Sequence, residues 1–494
     1  MKVLRFCTSR LAVLVAVIVA VLFAPSFLRY VGLLAMGATT TAFNAGGASD
    51  INQALKIFFN EPVAEDIVYD SELLALLEED NNVKQDETTG GRYIETAQYF
   101  QLPAGVGARA ENEYIPVADG PVIQNSRVFL KKIQGVLEMT GDVMRRVKGD
   151  LGAYLNWAER AMPDLVKRVD HELDRMLFGY GNGALARVNA LPDGTHIDVD
   201  RNFGVGIVGN ITVAAQPAWL NFLEGMRIVY SANANGSPLR NAGAGQSSQV
   251  TAVNPALGVF GRLTVDVTPA GVAVNDYIFP GDAAGASSQD ATGTDREVEG
   301  LLGCVDDGTI LATFQNLARG TFLLFNSIVI DGSAVPFNGL LTEDLLIFAD
   351  DETFTKGMGK PDAIITSRSG ARAYWKSLKG DRVYPNPRSY QGGFGEGADR
   401  PGKFGLSVVL GDRDVPIKAC RKCPTNFTFG LQLDTFKRWT LGGWQWDDTT
   451  GAVWNRVTDA TGRKDAYFAV GNIYMQVGDL APRKSFRINN LSLA

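Results

Sequence analysis

The sequence predicts an α+β fold carrying a β-arm that cannot bury its own faces, and three observations lead there. Residues 90–126 read as two strands joined by turn chemistry. Residues 151–178 carry one apolar stripe at helical spacing. From about residue 198 onward, strand and helix patterns mix with glycine-rich insertions. An arm of that kind beside a stiff helix is suited to lie on a neighbouring molecule, which points to an assembly subunit.

Composition bounds the class. With 46% hydrophobic and 20% charged residues over 494 positions, there is core material for two or three structural units. The 54 glycines against 20 prolines imply many turns and close backbone approaches. A net charge of -7 argues against a nucleic-acid reader that works through a basic surface. Cys7, Cys304, Cys420 and Cys423 are too few and too scattered for a disulfide framework, which favours a reducing compartment.

At the N-terminus Lys2, Arg5 and Arg10 precede an apolar run over residues 11–24, with Ala35, Met36 and Gly37 following. Three accounts fit: a secretory signal, a spanning helix extended through Leu34, or an over-extended reading frame with Met36 as the start. The third is preferred, because the polar, small-residue stretch after Met36 suits a soluble terminus. Val63, Ile67, Leu73, Leu74 and Leu77 then give a thin helical stripe, too weak to fold without docking.

Arg92 to Phe100 is rich in strand-forming residues, residues 102–108 with Pro103, Gly105 and Gly107 are turn chemistry, and residues 113–117 are expected to return. Residues 127–140 alternate, with Phe129, Ile133, Leu137 and Met139 on one face and Lys132, Gln134, Glu138 and Thr140 on the other. In the helix, Asp150 is a fair N-cap, and Leu151, Leu155, Ala158, Met162, Leu165, Val169, Leu173 and Met176 form the stripe. Asp164, Lys167, Arg168, Glu172 and Arg175 are expected on its wet side. Pro163 should kink the helix and Gly179 should end it. Further on, residues 231–245 and 281–293 read as loops, 263–267 and 363–366 as strands, and 340–354 and 369–378 as helices. Residues 427–493 are strand-rich again.

Candidate chemistry fails on its structural requirements. Gly204, Gly206 and Gly209 match a dinucleotide-binding spacing, but they lead into a strand-like run and Pro217 instead of opening a helix. Asp198, Asp200 and Asn202 resemble the start of a calcium loop whose sixth position is Phe203 and twelfth is Gly209. Cys420 and Cys423 form a lone C-x-x-C, and zinc would need two more ligands. A nucleophile could call only on His171 or His196, and His171 sits by the buried stripe. No catalytic residue, cofactor or metal is assigned, and the chain reads as a non-enzyme.

The order arm, strand, long helix, then Phe178-Gly179-Tyr180-Gly181-Asn182-Gly183 resembles the major capsid protein of tailed bacteriophages, the Hong Kong 97-type fold. So do Thr140-Gly141-Asp142-Val143-Met144, the stretch Gly300-Leu301-Leu302-Gly303-Cys304-Val305-Asp306-Asp307-Gly308, residues 361–367, and the closing residues 483–491. The resemblance spans residues 37–494. It implies an N-terminal arm at 36–85 after the 1–35 hydrophobic segment, and an extended loop at 86–126. It further implies a peripheral domain with the spine helix at 127–200, an axial α/β domain at 201–429, and a return to the peripheral domain at 430–494. The extended loop would supply the assembly interface, through Arg92, Tyr93, Tyr99, Phe100, Arg109, Glu111 and Tyr114.

On the resemblance, copies would self-assemble through hexamers and pentamers into an icosahedral virion capsid in the host cytoplasm. The shell would enclose double-stranded DNA without sequence-specific binding, with scaffold, portal and decoration proteins as further partners and no membrane. Some relatives weld their shells by a Lys–Asn isopeptide bond on the extended loop. There is no lysine between Lys84 and Lys131, so a non-covalent shell is expected. The competing expectation takes the N-terminal run as an export signal and makes the chain a secreted or envelope-anchored surface-layer or adhesin subunit.

Overall fold

In the computed structural model, the strongest sequence patterns form the elements they predict. The structure describes residues 73, 94–102, 105–114, 120–142, 157–204, 218–240, 247–257, 261–281, 297–378, 406–440, 444–448, 453–459 and 462–492. The N-terminal run, most of the thin stripe after it, Asp150, Leu151, Leu155 and Gly206 to Gly209 lie outside them. The fold is mixed α+β, rich in sheet and with few helices.

The described residues fall into two compact units. The smaller holds residues 138–142, 456–459 and 462–468, and the larger holds the rest. All other elements introduced below lie wholly or partly in the larger unit.

The arm is an antiparallel pair, β1 (Ile94–Gln101) and β2 (Val122–Val128), joined across residues 102–121. The partner of β1 is thus Val122–Val128 and not the return strand expected at 113–117, of which 115–117 lie outside the described residues. Residues 111–112 form a turn instead, with Asn112 left-handed and Glu113 N–H donating to the Ala110 carbonyl at 3.3 Å. The expected strand over 127–140 likewise divides between the end of β2 and β3 (Lys131–Thr140). In β3 the odd positions turn inward and the even ones outward, as the alternation requires. Phe129 lies between the strands and is exposed.

The spine helix α1 (Trp157–Phe178) continues through Pro163, and Gly179 N–H bonds back to the Met176 carbonyl. Val169, Leu173, Leu177 and Phe178 bury its stripe. Arg175, expected on the wet side, is buried instead.

Six strands after α1 close into a barrel that the sequence reading had not foreseen. They are β4 (Ala186–Ala190), β5 (His196–Asp200), β6 (Arg227–Ser231), β7 (Ser248–Asn254), β8 (Arg262–Val265) and β9 (Tyr277–Pro280), ordered β4-β5-β8-β7-β6-β9. Val188, Ile197, Val199, Ile228, Tyr230, Val250, Leu263 and Ile278 fill its interior. Asp198, the first carboxylate of the calcium-like stretch, pairs with Arg262 at 2.6 Å.

After the short α2 (Leu301–Cys304) and the hairpin β10 (Thr313–Phe314) and β11 (Leu317–Ala318), the chain builds a second sheet. It uses β12 (Ile328–Asp331), β13 (Ala363–Ser367), β14 (Leu406–Leu410), β15 (Arg413–Cys420) and β16 (Thr428–Leu431). Helix α3 (Glu343–Gly357) is capped by the Thr342 hydroxyl, which accepts from Leu345 N–H at 3.3 Å. Helix α4 (Arg368–Ser377) is capped likewise by Ser367. A third sheet joins β17 (Phe436–Thr440), β18 (Gln445–Trp446), β19 (Asn455–Asp459) and β20 (Gly462–Asp479), with β3 also on β20. The last strand, β21 (Phe486–Asn489), does not stay with that sheet. It enters the second one, whose order becomes β12-β21-β16-β13-β15-β14.

This six-stranded sheet buries both faces. Ile365, Phe429 and Leu431 meet the core around α1, while Ile364, Ile417, Phe486 and Ile488 meet α3 and α4. Gly430 is the point of closest approach, because a Cβ there would stand 2.2 Å from the Phe486 ring.

Candidate assembly surface

The arm is tied to the body at its base, through Arg127, and along its inner face, through Phe100. At its base Ser126 is buried and its hydroxyl donates to the Thr96 carbonyl at 3.2 Å, while Arg127 N–H donates to the Gln315 carbonyl at 2.9 Å. Phe100 stacks against Phe322 and Phe325, with ring centroids 4.9 and 6.1 Å away. Alternation gives the arm a second, outward face, where cross-strand neighbours pair as Glu95 with Arg127, Ala97 with Asn125, and Tyr99 with Ile123. The polar pair, at 2.7 Å, sits near the base, and the apolar pair sits toward the tip.

Exposure rises along that direction. Tyr99 is 68% exposed, Val106 89% and Tyr114 96%, with Leu102 and Ile123 also in solvent. Two-stranded ribbons are marginal alone in water, and this one displays contiguous apolar side chains on its outward face and in its loop. The sequence-predicted interface residues therefore divide. Tyr99 and Tyr114 project outward, Arg109 and Glu111 lie exposed in the tip loop, and Phe100 is turned onto its own chain. Arg92 and Tyr93 lie outside the described residues.

Beneath the arm, the quoted motifs converge. Gly300 packs against the last turn of α1 so closely that a Cβ would stand 2.4 Å from the Met176 and Leu177 carbonyl oxygens. Just before it, Glu297 receives both terminal nitrogens of Arg175, at 2.7 and 3.1 Å, and Arg175 Nε donates to Glu172 at 2.9 Å. Burial would lower the Arg175 pKa, but the two carboxylates outweigh it and hold the guanidinium more firmly charged than usual. This is why Arg175 leaves the wet side.

Asp306, Arg319 and Arg487 are completely buried together. Arg487 donates to Asp306 Oδ1 at 2.8 Å and to the Leu302 carbonyl at 3.2 Å. Arg319 donates to the carbonyls of Gly303 and Cys304 at 2.7 and 3.0 Å. Asp306 Oδ2 accepts from the backbone of Gly308, Ile310 and Leu311 at 3.1, 2.9 and 2.9 Å. Every member has partners, as a buried ionic cluster requires. Sequence reading had noted these segments only as motifs; that they meet could not be read from spacing.

Three titrating groups sit in this framework. His171 is buried beside Lys422, and burial, then the Lys422 charge, depresses its pKa to about 3. Lys422, whose ammonium donates to the Leu220 carbonyl, is lowered to about 7, chiefly by burial. Asp479 is raised to about 6 by burial, against hydrogen bonds from Ala481, Thr435 and Ser485. Cys420 and Cys423 of the C-x-x-C are buried. Among the described residues, no helix is long and apolar enough to cross a membrane.

The sequence matches no protein-family model and no curated protein. The chain is similar to several solved structures. The capsid asymmetric unit of cyanophage A-1(L) is 13% identical, covers 88% of this chain and 97% of that one, and has a TM-score of 0.49. The capsid of an empty GTA particle is 9% identical over 91% of this chain and 100% of that one, at a TM-score of 0.43. The capsid of Myoviridae phage XM1 is 7% identical over 91% and 100%, at a TM-score of 0.39.

Proposed function

We propose that this chain is the major capsid protein of a tailed bacteriophage, assembling through hexamers and pentamers into an icosahedral shell around double-stranded DNA. One observation carries the reading: the arm formed by β1 and β2 packs one face on its own body through Phe100 and presents Tyr99, Leu102, Val106, Tyr114 and Ile123 to solvent on the other face and in the loop. Strands and loops of this kind find a stable place by lying across a neighbouring copy. A framework locked by buried ion clusters supports it, because a projecting arm transmits load only if its root is rigid. Shell formation needs no catalytic group, and the chain acts as a structural protein.

In this reading residues 36–85 are the N-terminal arm, 86–126 the extended loop, 127–200 and 430–494 the peripheral domain, and 201–429 the axial domain. Scaffold, portal and decoration proteins are the further partners, assembly takes place in the host cytoplasm, and DNA is enclosed without sequence readout.

Expression of the full chain followed by electron microscopy tests this. Regular hollow particles are expected, and denaturing electrophoresis of them should give a single monomer band, since no lysine lies on the extended loop. Protein that remains monomeric at high concentration overturns the reading.

A further inference from the structure

Helix α3 is apolar on two sides; its own chain buries one of them and touches the other only in part, where the Phe337 ring lies 5.3 Å from Phe348. Leu345, Leu346, Ala349 and Thr353 bury against the six-stranded sheet. On the opposite side Ile347, Phe348, Phe354 and Met358 are exposed, Met358 by 81%. Exposed carboxylates of Glu343, Asp344 and Asp351 flank that stripe. A helix in a soluble layer normally keeps one polar face, so a second apolar face calls for a cover.

Helix α4 offers the complement. It lies on the same face of the sheet, where Tyr374 shares a core with Leu345 and Leu346. Its outward side carries Arg368, Arg372 and Lys376, four residues apart, with the half-exposed Trp375 among them. Asp344 to Asp351 rises about 10 Å along α3, and Arg368 to Lys376 rises about 12 Å along α4, so the charge rows match in length. Among the described residues none of these six charges forms an ion pair. Lys356, by contrast, is already engaged with Glu352 on the flank of α3.

We propose that the exposed stripe of α3 packs against the exposed stripe of α4 on a second copy of this chain. Ile347, Phe348, Phe354 and Met358 would be covered by Trp375 and the alkyl stems of the basic row, and the two charge rows would set the register. The contact rests on the reading that the chain self-assembles, and it names a second surface, separate from the arm, through which copies meet.

A charge-swap in trans tests it with the full-length chain. One variant carries Asp344→Lys and Asp351→Lys; the other carries Arg368→Glu and Lys376→Glu. Thermal melts establish that each is folded, and sedimentation velocity with electron microscopy reads assembly. Each variant alone sets like charges against each other between copies and should self-associate at least roughly tenfold more weakly than the parent. Mixed in equal amounts, the two restore every opposite-charge pairing between unlike copies, and association should return to within about threefold of the parent. Attraction within one chain cannot be restored by mixing.

Folded variants that fail to rescue each other overturn the contact, as does normal shell formation by either variant alone. A parent chain that stays monomeric overturns the capsid reading instead. Should a reversal prevent folding, Asp351→Asn and Lys376→Gln carry the test. Each should weaken association, and unchanged association for both overturns the contact.

Discussion

Arg487 donates to Asp306 at 2.8 Å across 181 residues of chain, and neither side chain has any exposure. The pair joins the last strand of the sheet to the segment that clamps the end of α1. With Arg319 beside them, two guanidinium groups share one carboxylate; backbone carbonyls accept from the terminal nitrogens of both, and Asn489 Oδ1 accepts from Arg487 Nε at 2.8 Å. Burial lowers the pKa of both arginines, while the Asp306 charge works against that shift.

Removing the shared carboxylate should therefore be costly. Asp306→Ala leaves two buried cations without their anion, and the expected loss is about 3–5 kcal/mol of unfolding free energy. Asp306→Asn keeps the oxygen that accepts backbone hydrogens and should cost less. Denaturant unfolding measures both, and a midpoint unchanged in Asp306→Ala would refute the role given to this cluster.

Acid stability should include two buried groups that act with opposite signs. His171 titrates at about 3 in the fold against 6.5 otherwise, so the unfolded chain binds more protons between those values and stability falls as pH drops through them. Asp479 titrates at about 6 against 3.8, so the folded chain binds more protons there and stability falls as pH rises from 3.8 to 6. Between pH 3.8 and 6 the two oppose each other. His171→Leu should expose the Asp479 trend and Asp479→Asn the His171 trend, each with a slope of at most about 1.4 kcal/mol per pH unit. Melting temperatures across that window would show it, and parallel profiles for the two variants would contradict it.

Between pH 7 and 9 Lys422 should set the trend. Its pKa is about 7 in the fold and 10.5 otherwise, so the unfolded chain holds more protons over that range and stability rises with pH. Lys422→Met should flatten the rise. A variant profile that climbs as steeply as the parent's between pH 7 and 9 would remove Lys422 as its source.

What was legible in the sequence follows physical range. Ile133, Leu137 and Met139 alternate along one strand, and Val169 and Leu173 recur along one helix, so local period exposed both. Thr342 and Ser367 mark helix starts by capping chemistry that is equally local. The barrel was not legible. Its β8 and β9 have four residues each, too short for a period, and closure depends on pairings such as Ala186 with Ile278. Arg175 was misplaced because its position on the helical wheel says nothing of Glu297, 122 residues away. The return strand of the arm was set too early for the same reason. Its register is fixed where Arg127 N–H meets the Gln315 carbonyl, not by the nearest turn residues.

The arm itself gives the sharpest separation of folding from assembly. Val106 and Tyr114 are 89% and 96% exposed, so in a single copy they touch almost nothing. Val106→Ser and Tyr114→Ser should then change unfolding free energy by no more than about 0.5 kcal/mol, the usual range for surface positions. If these side chains lie against a neighbour, the same substitutions remove apolar contact worth roughly 1–3 kcal/mol at each subunit, repeated at every copy around the shell. The double variant should melt with the parent yet fail to form particles at concentrations where the parent does. Phe100→Ser should do the reverse on the arm's inner face, lowering stability through lost packing on Phe322 and Phe325. Particles of normal yield from the Val106 and Tyr114 double variant would show that the tip of the arm is not the part that holds one copy to the next.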